Sequence, residues 1–215
     1  MNSILRLRDI NKSYEGHVIL HGLSLEIFPG ESYAVVGKSG AGKSTLLNIM
    51  GLLEKPDQGE ISYFGEVIHA GNKRKIQKIL REQIGYLFQN YALVEEETVQ
   101  YNIGIGLQYR NDLRSKSMRA QEIQYLLRIV GMEGMEERKI FSLSGGEQQR
   151  IALARVLGKP CSVILADEPT GNLDIENSKQ VIRLLMEQTK GKKAIVVVTH
   201  DRSFLPAFDH VIELS

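Results

Sequence analysis

The 215 residues include no tryptophan, a single cysteine, five prolines and no excess of charge of either sign. Each shortage excludes something. Cys161 alone cannot form an internal disulfide, and its place ahead of an apolar run reads as a buried core thiol. Lys and Arg number 27 against 26 Asp and Glu, a net charge of +1, so nucleic acid is not expected as a partner. The longest aliphatic run, AIVVV at 194–198, is far too short to span a bilayer. The opening MNSILRLRD is charged by Arg6 and shows no secretory pattern. The expectation is a cytoplasmic protein whose membrane association, if any, comes through a partner. What is present is ordinary for a globular chain, 42% hydrophobic and 25% charged, in a length that suits one large domain.

ILRLRDINKSY and VILHGLSLEIF alternate apolar and polar residues as half-buried strands do, with Leu23, Leu25 and Ile27 on one face. SYAVVG at 32–37 is an apolar strand entering a glycine-rich turn, and 43–52 reads as a helix. GEISYFGEVI reads as a hairpin turning at Gly65, Lys73–Gln83 as an exposed basic helix, and IGYLF as a strand. From 98 to 140 the periodicity is helical. Beyond it, helices at 146–158 and 175–189 alternate with strands at 162–166, 193–198 and 209–214. Such alternation implies a buried, mostly parallel sheet, an α/β fold, with an antiparallel region at the N-terminus.

GKSGAGKST, residues Gly37, Lys38, Ser39, Gly40, Ala41, Gly42, Lys43, Ser44 and Thr45, fits the phosphate-loop spacing G-x-x-x-x-G-K-[ST] between a strand and a helix. The glycines let successive backbone N–H groups converge on one anion, and the helix N-terminus adds unsatisfied donors. Lys43 supplies a mobile cation for the β- and γ-phosphates, Ser44 a hydroxyl for Mg2+, and Thr45 supports the same cluster. A metal-positioning carboxylate is then needed on a neighbouring strand. SVILADEP provides it: Asp167 ends a buried strand, where ligands bind in open α/β sheets, and Glu168 is placed to take a proton from the attacking water.

A second glycine-paired helix start follows at LSGGEQQR, residues 143–150, with Ser144 at the cap and Gly145 and Gly146 exposing donors. Eight residues meeting one motif by chance is on the order of one in ten million, so coincidence is set aside. With this motif the chain resembles the nucleotide-binding subunits of ABC transporters over essentially its full length. The resemblance implies an ATP- and Mg2+-dependent ATPase of the P-loop NTPase fold. It implies one domain over 1–215, with 1–89 and 141–215 as core and antiparallel region and 90–140 as a helical subdomain. Two chains would pair head to tail, each signature closing on ATP held by the other, and a separate transmembrane permease would be the partner.

The same resemblance assigns Tyr14 to adenine stacking, Gln89 to Mg2+ or the attacking water, His200 to the γ-phosphate and Asp174 to the dimer interface. Asp167 would hold the metal with Ser44. It places Tyr91, Leu93 and the helix near Tyr101 against the permease. ADEPTGNLD resembles the branch holding lipoprotein-release, macrolide-efflux and cell-division ATPases, and LFQNYALVEEETV a group assigned to bacteriocin export. Glu95, Glu96 and Glu97 stand where that branch usually has proline and threonine. The C-terminal regulatory domain of some importers is expected to be absent. The leading expectation is thus an exporter's ATPase, peripheral on the inner face of the membrane. The alternative is a non-transporting regulatory or mechanical ATPase on a membrane complex.

Overall fold

The computed structural model describes residues 2–171 and 173–214; Asn172, in the GNLD stretch, lies outside the described residues. Two short turns shape the N-terminal region. β1 (Leu5–Tyr14) and β2 (His17–Ile27) pair antiparallel with Tyr14 opposite His17, so only Glu15 and Gly16 connect them. Both are left-handed, φ 49° and 84°, as a two-residue hairpin turn requires. β1 also pairs with β4 (Gln58–Tyr63), which turns at Phe64 and Gly65 into the short β5 (Glu66–Val67). The result is an antiparallel sheet in the order β2-β1-β4-β5.

The second sheet is parallel throughout, in the order β6-β7-β8-β3-β9. Its strands are β3 (Ser32–Gly37), β6 (Ile84–Leu87), β7 (Val163–Asp167), β8 (Ala194–Val198) and β9 (His210–Leu214). β7 and β8 are buried at every position, which explains their unbroken apolar runs. Their residues alternate between two cores. Val163, Leu165 and Val196 face a core shared with Leu5, Leu7 and Ile10 of β1 and with Leu46, Leu47 and Met50. Ile164, Ala166 and Ile195 face the other, with Ile103, Leu107, Leu126, Ile151 and Leu153. The antiparallel sheet thus joins the parallel one by packing, not by strand pairing.

The helices are α1 (Lys43–Met50), α2 (Lys73–Glu82), α3 (Val99–Leu107), α4 (Lys116–Ile129), α5 (Gly145–Gly158) and α6 (Ile175–Glu187). α1 stops at Met50 rather than 52, with Leu52 left-handed at φ 55°. α6 tightens into a 3-10 turn over Gln188–Gly191. α5 starts at Gly145, one residue before the sequence expectation, because Ser144 caps it. The buried Asn102 of α3 holds the preceding loop: its amide donates to the Val94 and Thr98 carbonyls and its oxygen accepts from the Val94 N–H.

Candidate functional site

The buried β3 delivers the loop Gly37–Thr45 to the carboxyl edge of the parallel sheet. A Cβ on Gly37 would lie 2.5 Å from the Leu214 carbonyl oxygen, and one on Gly42 2.6 Å from Ile19 Cγ2, so side chains there would force β9 or β2 away. Lys43 curls back over the loop, its Nζ donating to the Gly37 and Lys38 carbonyls at 3.0 and 2.9 Å. The Ala41 N–H donates to the Lys38 carbonyl, closing the turn that carries Ser39 and Gly40. Gly42, left-handed at φ 85°, precedes α1 without a side-chain cap, which leaves the first-turn N–H groups to whatever enters the loop.

β7 and β8 bring the acid and base groups to the same edge. Asp167 ends β7 and is buried; its Oδ1 accepts from Ser44 Oγ at 3.2 Å. Burial, first, and the neighbouring Glu168 push the Asp167 carboxyl above its ordinary value, against the pull of Ser44 and Lys43. Glu168 is left-handed, φ 47°, and its N–H donates to the Val198 carbonyl across the β7–β8 edge. That turn brings its carboxylate to 2.8 Å from His200 Nδ1. The imidazole is mostly exposed, 72%, and the carboxylate mostly covered, 15%, so the pair has one dry and one wet member. Glu168, Gln89, Lys43 and Ser44 line one cleft of about 310 Å3 with Ser39, Gly40, Gly42 and Thr45. Gln89 follows β6, is exposed, and also shares with Asp167 an adjoining opening beside Tyr86 and Phe88.

Tyr14 lies at the end of β1, 42% exposed. Its hydroxyl is hydrogen-bonded to Glu54, and Lys12 Nζ sits 5.1 Å from its ring centroid. Lys12 also pairs with Glu54 and Asp57. One ring face and the phenol are therefore engaged from within the chain.

Ser144, Gly145 and Gly146 are not among the residues lining the phosphate-loop cleft. Ser144 and Glu147 form a reciprocal capping box: Glu147 Oε2 accepts from the Ser144 N–H at 2.7 Å, while Ser144 Oγ accepts from the Glu147 N–H. The Ser144 backbone bond, first, holds the Glu147 carboxyl below its ordinary value. Asp174 caps α6 by accepting from the Asn177 N–H at 2.9 Å. Asn177 Oδ1 in turn accepts from Arg150 Nη1 of α5 at 2.9 Å, so α5 is tied to the first turn of α6.

Three contributors and one contact were missed from sequence. Ile19 enters the cleft from β2, and Glu54 pins Tyr14; these are long-range contacts with no local signal. Glu147 had one, since S-x-x-E at 144–147 is the capping-box spacing. The Glu168–His200 contact was not drawn, because local sequence does not say which parallel strands lie side by side. Tyr91 and Leu93, expected against the permease, are partly buried and pack on the core, and neither lines the apolar cleft near α3. That cleft, about 310 Å3, is formed by Tyr86, Phe88, Ala92, Tyr109 and Arg155 among others.

Residues 20–171 match the family profile described as ABC transporter. The chain is 39% identical over 219 residues to the lipoprotein-releasing system ATP-binding protein LolD of Psychrobacter arcticus, covering 100% of this chain and 96% of that protein. It is 37% identical to the macrolide export ATP-binding/permease protein MacB of Escherichia coli K12, of which it spans 33%. Among solved structures, the dimeric post-hydrolysis ATP-binding cassette MJ0796 bound to ADP and Pi superimposes with a TM-score of 0.90 at 33% identity, covering 98% of this chain and 94% of that one.

Proposed function

This chain belongs to the ABC transporter family as an ATP-hydrolysing component coupled to transport, and we propose that it works as half of a two-nucleotide dimer driving a separate membrane permease. The observation that carries the site reading is the convergence of Lys43, Ser44, Gln89 and Glu168 on one cleft, with Asp167 bonded to Ser44. The loop amides and Lys43 hold the β- and γ-phosphates. Mg2+ fits the Ser44 hydroxyl and Asp167 carboxylate, a sparse oxygen set of the kind that leaves room for waters and phosphate oxygens. When bound, it neutralises phosphate charge and orients the γ-phosphoryl group.

Glu168 accepts a proton from the attacking water. His200, bonded to the same carboxylate, orients it and is free to turn its exposed ring toward the γ-phosphate. Gln89 reaches the metal or the water from the far wall. Tyr14 stacks on adenine with the ring face that Lys12 leaves open.

The exposed Ser144 and Gly145, away from the chain's own cleft, serve a nucleotide held by the second copy. Asp174, tied to that helix through Asn177 and Arg150, lies along the shared surface. The dimeric cassette that this chain resembles supports the pairing. Residues 90–140 form a helical subdomain on the core. The cleft beside Tyr86, Phe88 and Tyr109 receives the permease, which places the chain peripherally on the inner face of the membrane. Among the described residues no helix is long and apolar enough to cross a membrane. Export of a peptide, bacteriocin or lipid-linked cargo is the direction favoured by LFQNYALVEEETV and by the printed roles of the LolD and MacB relatives.

Lys43→Ala tests the site. Loss of one charge-assisted phosphate contact is expected to weaken binding of a fluorescent ATP analogue by about tenfold to a hundredfold. Unchanged affinity would remove the loop from the site. Pull-down of the tagged chain from its own membranes tests the partner: a polytopic permease is the expected co-purified protein, and repeated recovery of the chain alone would count against that pairing.

A further inference from the structure

The backbone immediately after Gln89 is unusual. Tyr91 and Ala92 are consecutive non-glycine residues, both left-handed, with φ 63° and 48°. Such residues enter that region at a cost, and two in a row persist only where the surroundings impose them. Here the imposing group is Arg155. Its Nη2 donates to the Tyr91 carbonyl and its Nη1 to the Ala92 carbonyl, each at 2.7 Å. A planar guanidinium can hold two adjacent carbonyls at once, which an ammonium cannot do with the same rigidity. Burial holds the Arg155 guanidinium below its ordinary value.

One close approach fixes the clamp in place. A Cβ on Gly106 would lie 2.2 Å from the Arg155 carbonyl oxygen, so α3 packs directly on this point of α5. Arg155 itself belongs to α5, the helix that Gly145 begins. The segment 89–92 therefore touches the phosphate-loop cleft at one end and the signature helix at the other.

We propose that Arg155 is a positioning residue for ATP hydrolysis: its fork holds Tyr91 and Ala92 so that Gln89 faces its own nucleotide. This rests on the function proposed above. Arg155 and Ala92 also line the apolar cleft, so whatever enters it bears on the same clamp.

Arg155→Met and Arg155→Lys in the full chain test the proposal through Mg·ATPase kinetics, nucleotide affinity and amide hydrogen exchange. Arg155→Met is expected to lower kcat by about tenfold to a hundredfold with ATP affinity held within about twofold, since misplaced groups lose rate more than binding. Exchange should quicken at residues 90–93 while α5 stays protected, and Arg155→Lys should recover part of the rate. Wild-type kcat in Arg155→Met overturns the proposal. So does a loss of rate matched by an equal loss of affinity and of protection throughout α5. If Arg155→Met does not fold, Arg155→Lys is judged on the same criteria. A wild-type chain without ATPase activity would instead contradict the function reading, and exchange at 90–93 would still report on the clamp.

Discussion

Asp167 shows at the scale of one residue how a site is kept at the expense of the fold. Its carboxyl is buried at the end of β7 beside a second carboxylate, and its pKa is raised by that burial first. A raised carboxyl pKa means that the folded chain binds the proton more tightly than the unfolded chain does. Its stabilising contribution is therefore present below the ordinary value of 3.8 and is lost as pH rises through the raised one. At neutral pH the ionised Asp167 thus destabilises the fold. Asp167→Asn, measured without added magnesium, should melt higher than wild type at pH 7, with the advantage shrinking toward pH 4, while hydrolysis falls. A lower melting temperature across that range would show that the Ser44 contact outweighs the burial.

The position of Asp167 was legible in the sequence, because an apolar run that ends on a carboxylate reads as a buried strand delivering it to the sheet edge. The partner of Glu168 was not assigned, since the 2.8 Å contact with His200 depends on β7 and β8 being neighbours. Tyr14 is a similar case. Its place ahead of the loop was readable, but its bond to Glu54 joins residues 40 positions apart.

Elements were more legible than contacts. The continuous apolar runs of β3, β7 and β8 announced a sheet buried on both faces, and the turns at Gly16 and Gly65 fall where left-handed backbone is needed. Helix ends were placed within a few residues, the differences arising at caps such as Ser144. What periodicity could not supply was how α3 meets α5. That contact relies on Gly106, where a side chain would collide with the Arg155 carbonyl. Gly106→Ala removes no hydrogen bond and improves helix propensity, yet overpacking should cost about 1–3 kcal/mol. A melting temperature lowered by roughly 2 °C or more would register it, and an unchanged one would mean that α3 shifts freely on α5.

At the scale of the whole molecule, the function proposed above gives one chain two unlike phosphate cradles on different elements. The loop Gly37–Thr45 lies in a cleft with Gln89 and Glu168, whereas Ser144 and Gly145 are exposed outside it. The links from Asp174 through Asn177 to Arg150, and from Arg155 to the Tyr91 and Ala92 carbonyls, tie α5 to the start of α6 and to the segment after Gln89. On that proposal, two copies that each complete the other's site would turn cleavage of a bridging phosphate into separation.

The most direct measurement is the solution mass of Glu168→Gln with Mg·ATP, by light scattering on the eluting peak. Removing the base leaves the phosphate contacts intact, so a nucleotide shared between copies predicts a stable species of two chains that reverts to one when Ser144→Arg is added. A single-chain mass for Glu168→Gln with nucleotide bound would contradict the shared site.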